Sequence, residues 1–345
     1  MAVSAIFSVE PRKSIIKLCG EIYLLSLPVL AFNLLRTRED LKNALQAWLA
    51  GSSVAVVIGL LTVFLFYFDR ENALLRYTLH HFGAVPAGNY PRVASTFLSP
   101  SQLCNYLSVS LIILLTARFS DWIKNRLFYV LLAAILLVAI FTIASNLGGL
   151  AFAAGLWIYF VYRKRQKIFA RAGLFFGTAA AILFYAINFI ALQKHSTATY
   201  SFSIFGREFQ PSPRLMIWAE SLQTFKENFL FGRGVGTDAC RVLFENTDGS
   251  FSLLTDAHNT FLSVAAQEGI FGLAAITAIC VYVLRKTLSA GGGNNQTNLL
   301  KISFGAAFAS AFVYQGLTSS FEDARHLWVL IGLILAVENS SEYEN

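Results

Sequence analysis

The sequence predicts an all-α fold: a polytopic transmembrane bundle of about nine helices carrying one large external loop, with residues 1–345 forming a single membrane domain. Three observations predict it. The chain is 56% hydrophobic and 14% charged, well below the roughly 25% charged residues of an average soluble domain. Its apolar runs reach the ~20 residues needed to cross a ~30 Å hydrocarbon core. Lys and Arg collect in alternate connecting segments, as serial spans require.

The strongest runs are 44–68, 99–117, 126–144, 170–192, 259–284 and 299–317; shorter or less regular ones are 18–35, 147–162 and 327–338. Lipid supplies no partner for open backbone groups, so spans must be helices or a closed barrel. Runs of this length do not fit the short alternating strands of a barrel. Segments 36–42, 118–126, 163–171 and 285–301 hold 14 basic residues in 42 positions, whereas 69–98, 145–146, 193–258 and 318–326 hold 10 in 107. The second set is therefore expected outside, and with it the long polar loop 193–258. The formal charge of +7 follows from the same bias. It leaves no basic face of the kind that binds nucleic acid.

The N-terminus fits less well. Nine spans put it outside, although Arg12, Lys13 and Lys17 favour the cytoplasm. Either the first segment is not a full span or the chain is short of helices there. No cleavable signal is evident. Cys19, Cys104, Cys240 and Cys280 share no CxxC spacing, and five scattered histidines give no zinc pattern, so neither a disulfide framework nor a metal or cofactor is expected.

Four local patterns carry structural or chemical information. Ser99-Pro100 is a cap followed by a first helical position. Ser212-Pro213-Arg214 repeats that signal and predicts a helix over 213–226 with Leu215, Trp218, Leu222 and Phe225 on one face. Arg214 falls in its first turn, where a cation opposes the helix dipole by a few tenths of a kcal/mol. That placement calls for an anionic partner, either a ligand or a local carboxylate such as Glu220. Phe231-Gly-Arg-Gly-Val-Gly236 reads as a tight turn, or as a loop whose amides approach a ligand, with Arg233 as a fork for phosphate oxygens. It is not a Walker A loop, since no Lys-Ser/Thr follows. Last, His258-Asn259 opens a helix that stays apolar to Leu284, about 40 Å at 1.5 Å per residue, so its first turns are expected to be wet. A solvated histidine suits a general base. Glu268, with Gly269 and Gly272, reads as a polar contact within the membrane domain, the glycines permitting close helix approach.

His258-Asn259 followed by Gly269-Ile270-Phe271-Gly272 resembles the signature of the O-antigen ligase and polymerase superfamily. Arg214-x-x-x-Trp218, Phe229-Leu-Phe-Gly-x-Gly-x-Gly236 and Thr96-Phe97-Leu98-Ser99-Pro100 resemble further stretches of it, together covering roughly 90–290. The resemblance implies a multi-pass glycosyltransferase of the bacterial inner membrane with a large periplasmic loop. It implies no metal and no cofactor, and an inverting transfer of glycan from a polyprenyl-diphosphate-linked donor onto a glycan, lipid A core or protein acceptor, in surface polysaccharide biosynthesis. It makes His258 the catalytic histidine, with Arg214 and Arg233 on the diphosphate and Asn259 beside the substrate. Two departures stand out. Where many relatives have an Arg after Ser145 this chain has Asn146, so a second diphosphate contact is either missing or supplied by Arg92 or Arg241. Relatives also have about a dozen helices, and the shortage here falls at the N-terminus. Two other readings stay open at this stage: a transporter or flippase of a lipid-linked or anionic solute, and a non-catalytic partner of polysaccharide assembly.

Overall fold

The computed structural model describes residues 1–79, 91–142, 202–204, 207–209, 214–245, 251–288, 295–318 and 324–342. Ten helices and four short strands lie among them: α1 (Ala2–Ile6), α2 (Pro11–Leu34), α3 (Arg38–Phe68), α4 (Leu75–Thr78), α5 (Pro100–Phe119), α6 (Asn125–Thr142), β1 (Phe202–Ile204), β2 (Arg207–Phe209), α7 (Arg214–Glu227), β3 (Val242–Glu245), β4 (Phe251–Leu254), α8 (Thr260–Leu288), α9 (Asn295–Thr318) and α10 (Arg325–Glu342). Seven of the nine expected spans coincide with helices; 147–162 and 170–192 lie outside the described residues, as do Ser145, Asn146, Ser212 and Pro213. By length and composition, α2, α3, α5 and α8 are each long and apolar enough to cross a membrane, and shorter apolar helices cover Asn125–Ala139 and Arg325–Val337.

The chain divides into two compact units. The first holds residues 1–23, 168–281 and 316–322; the second holds 24–167, 282–315 and 323–345. In the second, α3 packs on α5 and α6. Its start is fixed by a reciprocal cap, in which the Asp40 N–H donates to Thr37 Oγ1 at 3.1 Å and the Thr37 N–H donates to Asp40 Oδ2 at 2.9 Å. The expected start of α5 is present as well, with the Gln102 N–H donating to Ser99 Oγ and Pro100 opening the helix. Between α3 and α5 a polar seam runs from Trp48 Nε1 to Ser110 Oγ (3.0 Å), to Ser52 Oγ (2.8 Å) and on to the Tyr106 hydroxyl (3.1 Å). These groups satisfy one another within the helix–helix contact. Gly59 on α3 faces Val138 on α6, where a larger residue would collide.

The first unit contains the described part of the long polar loop, and the loop is not purely helical. β1 pairs antiparallel with β2, and β3 with β4 in the register Val242 to Leu254 and Glu245 to Phe251. The β3–β4 hairpin is packed on α7 through Ile217, Cys240 and Val242, with Trp218 and Leu254 against them. The buried face of α7 is Ile217, Ser221 and Thr224, not the stripe through Leu222, which is 42% exposed. Small polar residues can line that face because the Ser221 hydroxyl donates to its own helix at the Ile217 carbonyl. This lets α7 approach closely where a leucine would hold it off.

Residues 1–23 also fold onto this loop. Phe7 stacks on Phe231 (5.1 Å) and Phe231 on Phe271 (5.9 Å). Lys13 pairs with Glu10 (2.6 Å) and Lys17 with the buried Glu21 (3.2 Å). Two of the three basic residues that conflict with the charge rule are thus paired within their own segment.

Candidate active site

The helix opened by His258-Asn259 does not run unbroken to its end. Gly269 has φ 71 and ψ −162, and the backbone kinks there. The glycine-rich segment fills the break. Arg233 N–H donates to the Ala266 carbonyl and Gly234 N–H to the Gln267 carbonyl, both at 2.9 Å, and Ile270 N–H donates back to the Phe229 carbonyl at 2.9 Å. Backbone groups that a kink would orphan are thereby paired. This close exchange requires the glycines. Gly232, Gly234 and Gly236 have φ of 72, 125 and 76. A Cβ on Gly232 would run into the Gln267 carbonyl, and one on Gly269 into that of Leu230.

The remaining amides of the segment are also taken. Gly232 N–H reaches the Asn228 carbonyl at 2.9 Å, Val235 N–H the Ser4 hydroxyl at 3.0 Å, and Gly236 N–H the Gln267 side-chain oxygen at 2.9 Å. The ligand-cradling alternative for these amides is therefore corrected: residues 232–236 bind α8 and the N-terminal segment. Gly269 and Gly272 likewise serve a local purpose, since Gly272 leaves room for the side chain of Glu268. Glu268 is 7% exposed and lies 3.0 Å from the Met1 amino group.

His258 sits just before α8, 45% exposed, with φ 47. Left-handed backbone costs a non-glycine residue roughly 1–2 kcal/mol. The neighbours on either side hold it there. Asp256 Oδ1 accepts the His258 N–H at 3.0 Å, and Asp256 Oδ2 lies 3.3 Å from His258 Nδ1. The Ala257 carbonyl accepts the Trp218 indole N–H at 2.9 Å, and Ala257 is fully buried against Ala239 and Ala266. Asn259 Oδ1 accepts the N–H groups of Phe261 and Leu262 at 3.1 and 3.3 Å, so Asn259 caps α8. Burial pushes the Asp256 carboxyl up, but its hydrogen bonds from His258 and the charges of His258 and Lys17 outweigh this and hold it below the usual carboxylate range.

His258, Asn259, Arg214, Arg233 and Arg241 all belong to the first unit. Arg214 is the first residue of α7, one helical turn before the Trp218 that anchors the histidine turn. Arg233 is partly buried; its N–H meets Ala266, about 10 Å along α8 from Asn259 at 1.5 Å per residue. Its guanidinium has no hydrogen bond or ion pair among the described residues. Arg241 is engaged otherwise, with Nε donating to Asp238 at 2.8 Å and its other end 3.8 Å from Glu10. Arg92 belongs to the second unit, beside the Leu79–Val93 bridge that leads into α5. Cys240 is no thiolate nucleophile, because burial pushes its thiol up to about 11.

Sequence reasoning missed Asp256 and the linking role of Trp218. Asp-x-His ahead of a capping Asn is the signature of a side chain hydrogen-bonding the backbone two residues on, and it was legible at 256–259. Strands β3 and β4 were also signalled, by short apolar runs around Asn246-Thr-Asp-Gly-Ser250.

The long apolar helices define a multi-pass membrane protein. Residues 130–277 match the family model described as O-antigen ligase. The match runs from within α6 to within α8, taking in Arg214, Arg233, Arg241 and His258 but not Arg92. No curated protein and no solved structure matches the chain.

Proposed function

We propose that this protein is an inverting, metal-independent glycan ligase or polymerase of surface polysaccharide assembly. Its donor is a polyprenyl-diphosphate-linked glycan, and its acceptor a hydroxyl on glycan, lipid A core or protein. The reaction takes place at the periplasmic face of the bacterial inner membrane. The family match supports a ligase or polymerase role in polysaccharide assembly. The observation that carries the residue assignment is the half-exposed His258, held in left-handed backbone at the mouth of α8 by pinned neighbours. Strained backbone kept in place by its surroundings is a mark of functional sites.

In this reading His258 Nε2 takes the acceptor hydroxyl proton as the hydroxyl oxygen attacks the anomeric carbon. The bond from that carbon to the diphosphate breaks, and its electron pair leaves on the diphosphate oxygen. Arg214 and Arg233 stabilise the charge growing there, by bidentate contacts that guanidinium groups make with phosphate. Asn259 holds the histidine turn beside the substrate. Arg241 has the lesser share, since it must leave Asp238 to reach a substrate.

The test is His258→Ala in cells dependent on this protein. Loss of polymerised or ligated surface glycan, with normal membrane insertion, is expected. Undiminished product overturns the assignment. The accumulating lipid-linked species then separates the two reactions: long chains mean lost ligation, single repeat units lost polymerisation.

A further inference from the structure

We propose that Asp256 is the positioning residue of this site, orienting His258 so that Nε2 faces the acceptor and stabilising the imidazolium that forms when the proton arrives. The inference rests on the reading of His258 as the general base.

One carboxylate makes both contacts. Oδ1 accepts the His258 N–H at 3.0 Å, and Oδ2 stands 3.3 Å from Nδ1 of the same residue. Backbone and ring are therefore referenced to a single group two residues away. With Nδ1 carrying its hydrogen toward Asp256, the neutral imidazole has its lone pair on Nε2. That is the atom a base must present. Both side chains are nearly half exposed, at 45% and 46%, so a substrate hydroxyl can reach the ring without displacing the carboxylate.

The surroundings keep the arrangement intact. Lys17 of α2 acts on the carboxylate from outside the turn, reinforcing its negative charge. Asp238 and Glu220, the latter on α7, bear with Asp256 on the neighbouring Cys240. Asp256 is alone among these carboxylates in contacting the histidine among the described residues. During transfer the acceptor O–H bond breaks and its proton joins Nε2, leaving an imidazolium whose two N–H groups point to acceptor and Asp256. A carboxylate at Nδ1 lowers the energy of that cation. The proton then passes to the released diphosphate or to water, restoring the neutral base; no oxidant or reductant takes part.

A turn-forming aspartate with no part in the chemistry is the competing explanation, and Asp256→Asn separates the two. Asparagine keeps an oxygen for the His258 N–H and forms the same turn, but carries no charge. We expect its thermal unfolding in detergent to match the wild type while kcat falls by about 10²-fold or more, with KM little changed. Asp256→Glu should recover part of that loss. Asp256→Asn with kcat within about threefold of wild type overturns the proposal. His258→Ala run alongside keeps the failures apart. An active H258A sinks the general-base reading itself, whereas an inactive H258A beside a fully active D256N sinks only the role of Asp256. Should D256N not fold, the wild type still decides. Protein labelled with 15N-histidine is expected to show the His258 ring-nitrogen shifts of the tautomer protonated at Nδ1, signals that disappear in His258→Gln, and the opposite tautomer in the wild type overturns the proposal.

Discussion

The Trp218 indole N–H donates to the Ala257 carbonyl oxygen at 2.9 Å, joining the helix that begins with Arg214 to the turn that presents His258. Two candidate catalytic groups far apart in sequence are thus coupled through one hydrogen bond.

Replacing that donor should affect catalysis more than folding. Trp218→Phe keeps most of the ring against Ile217 and Cys240 and removes only the N–H, at a cost of about 1 kcal/mol in stability. Because the lost bond sits next to the histidine, kcat should fall by about tenfold or more while KM holds. Steady-state kinetics with lipid-linked donor, beside a thermal melt, checks the split.

Gly232 and Gly20 offer a matched pair. A Cβ on Gly232 meets the Gln267 backbone at a φ of 72, whereas one on Gly20 meets nothing within 4 Å. Gly232→Ala should therefore destabilise by about 3 kcal/mol or more and separate the loop from α8. Gly20→Ala should be neutral or slightly stabilising, since alanine favours a helix by about 1 kcal/mol over glycine. Melting temperatures in detergent and protease sensitivity of the 229–236 segment report the difference.

The arginines should divide by their present partners. Arg233→Ala is expected to lower turnover by about 10²–10³-fold with little change in stability, as for loss of one group that stabilises transition-state charge. Arg233→Lys should restore only part, since an ammonium lacks the planar fork. Arg241→Ala breaks the contacts with Asp238 and Glu10 instead, and its effect should fall on attachment of the N-terminal segment, seen as faster proteolysis within residues 1–23.

The Asp256 carboxylate sets a pH window for the histidine turn. Its folded value lies below its unfolded one, so its stabilisation is fully present above the unfolded value of about 4 and is lost as pH falls through the depressed folded value. Hydrogen-exchange protection of the His258 amide should accordingly be constant from about pH 8 to 5 and collapse only below about 4. Collapse near pH 6 would show that another group controls the turn.

Much of this fold was legible because membrane helices announce themselves by length and apolarity: α3, α5, α6 and α9 fall where hydropathy placed them. The Ser99-Pro100 start was legible for a local reason, since a cap depends on residues adjacent in sequence. His258 could be found at the wet end of an apolar run. The pairing of the 229–236 segment with residues 266–270 could not, because nothing in either stretch identifies a partner some 35 residues away. The glycines were visible but their purpose was not: glycine permits close approach without saying to what. The face of α7 was misread for a related reason, since apolar periodicity ranks Leu222 above Ser221 while close packing against the hairpin favours the smaller residue.

The kink at Gly269 leaves α8 as a short pedestal, Thr260–Glu268, followed by a stretch from Ile270 of about 28 Å at 1.5 Å per residue, close to one bilayer core. Both sides of the break are tied to the glycine-rich segment, the pedestal through the Ala266 and Gln267 carbonyls and the longer stretch through the Ile270 N–H and the Phe271 ring. A side chain at Gly269 would therefore disturb the loop and both parts of α8 at once.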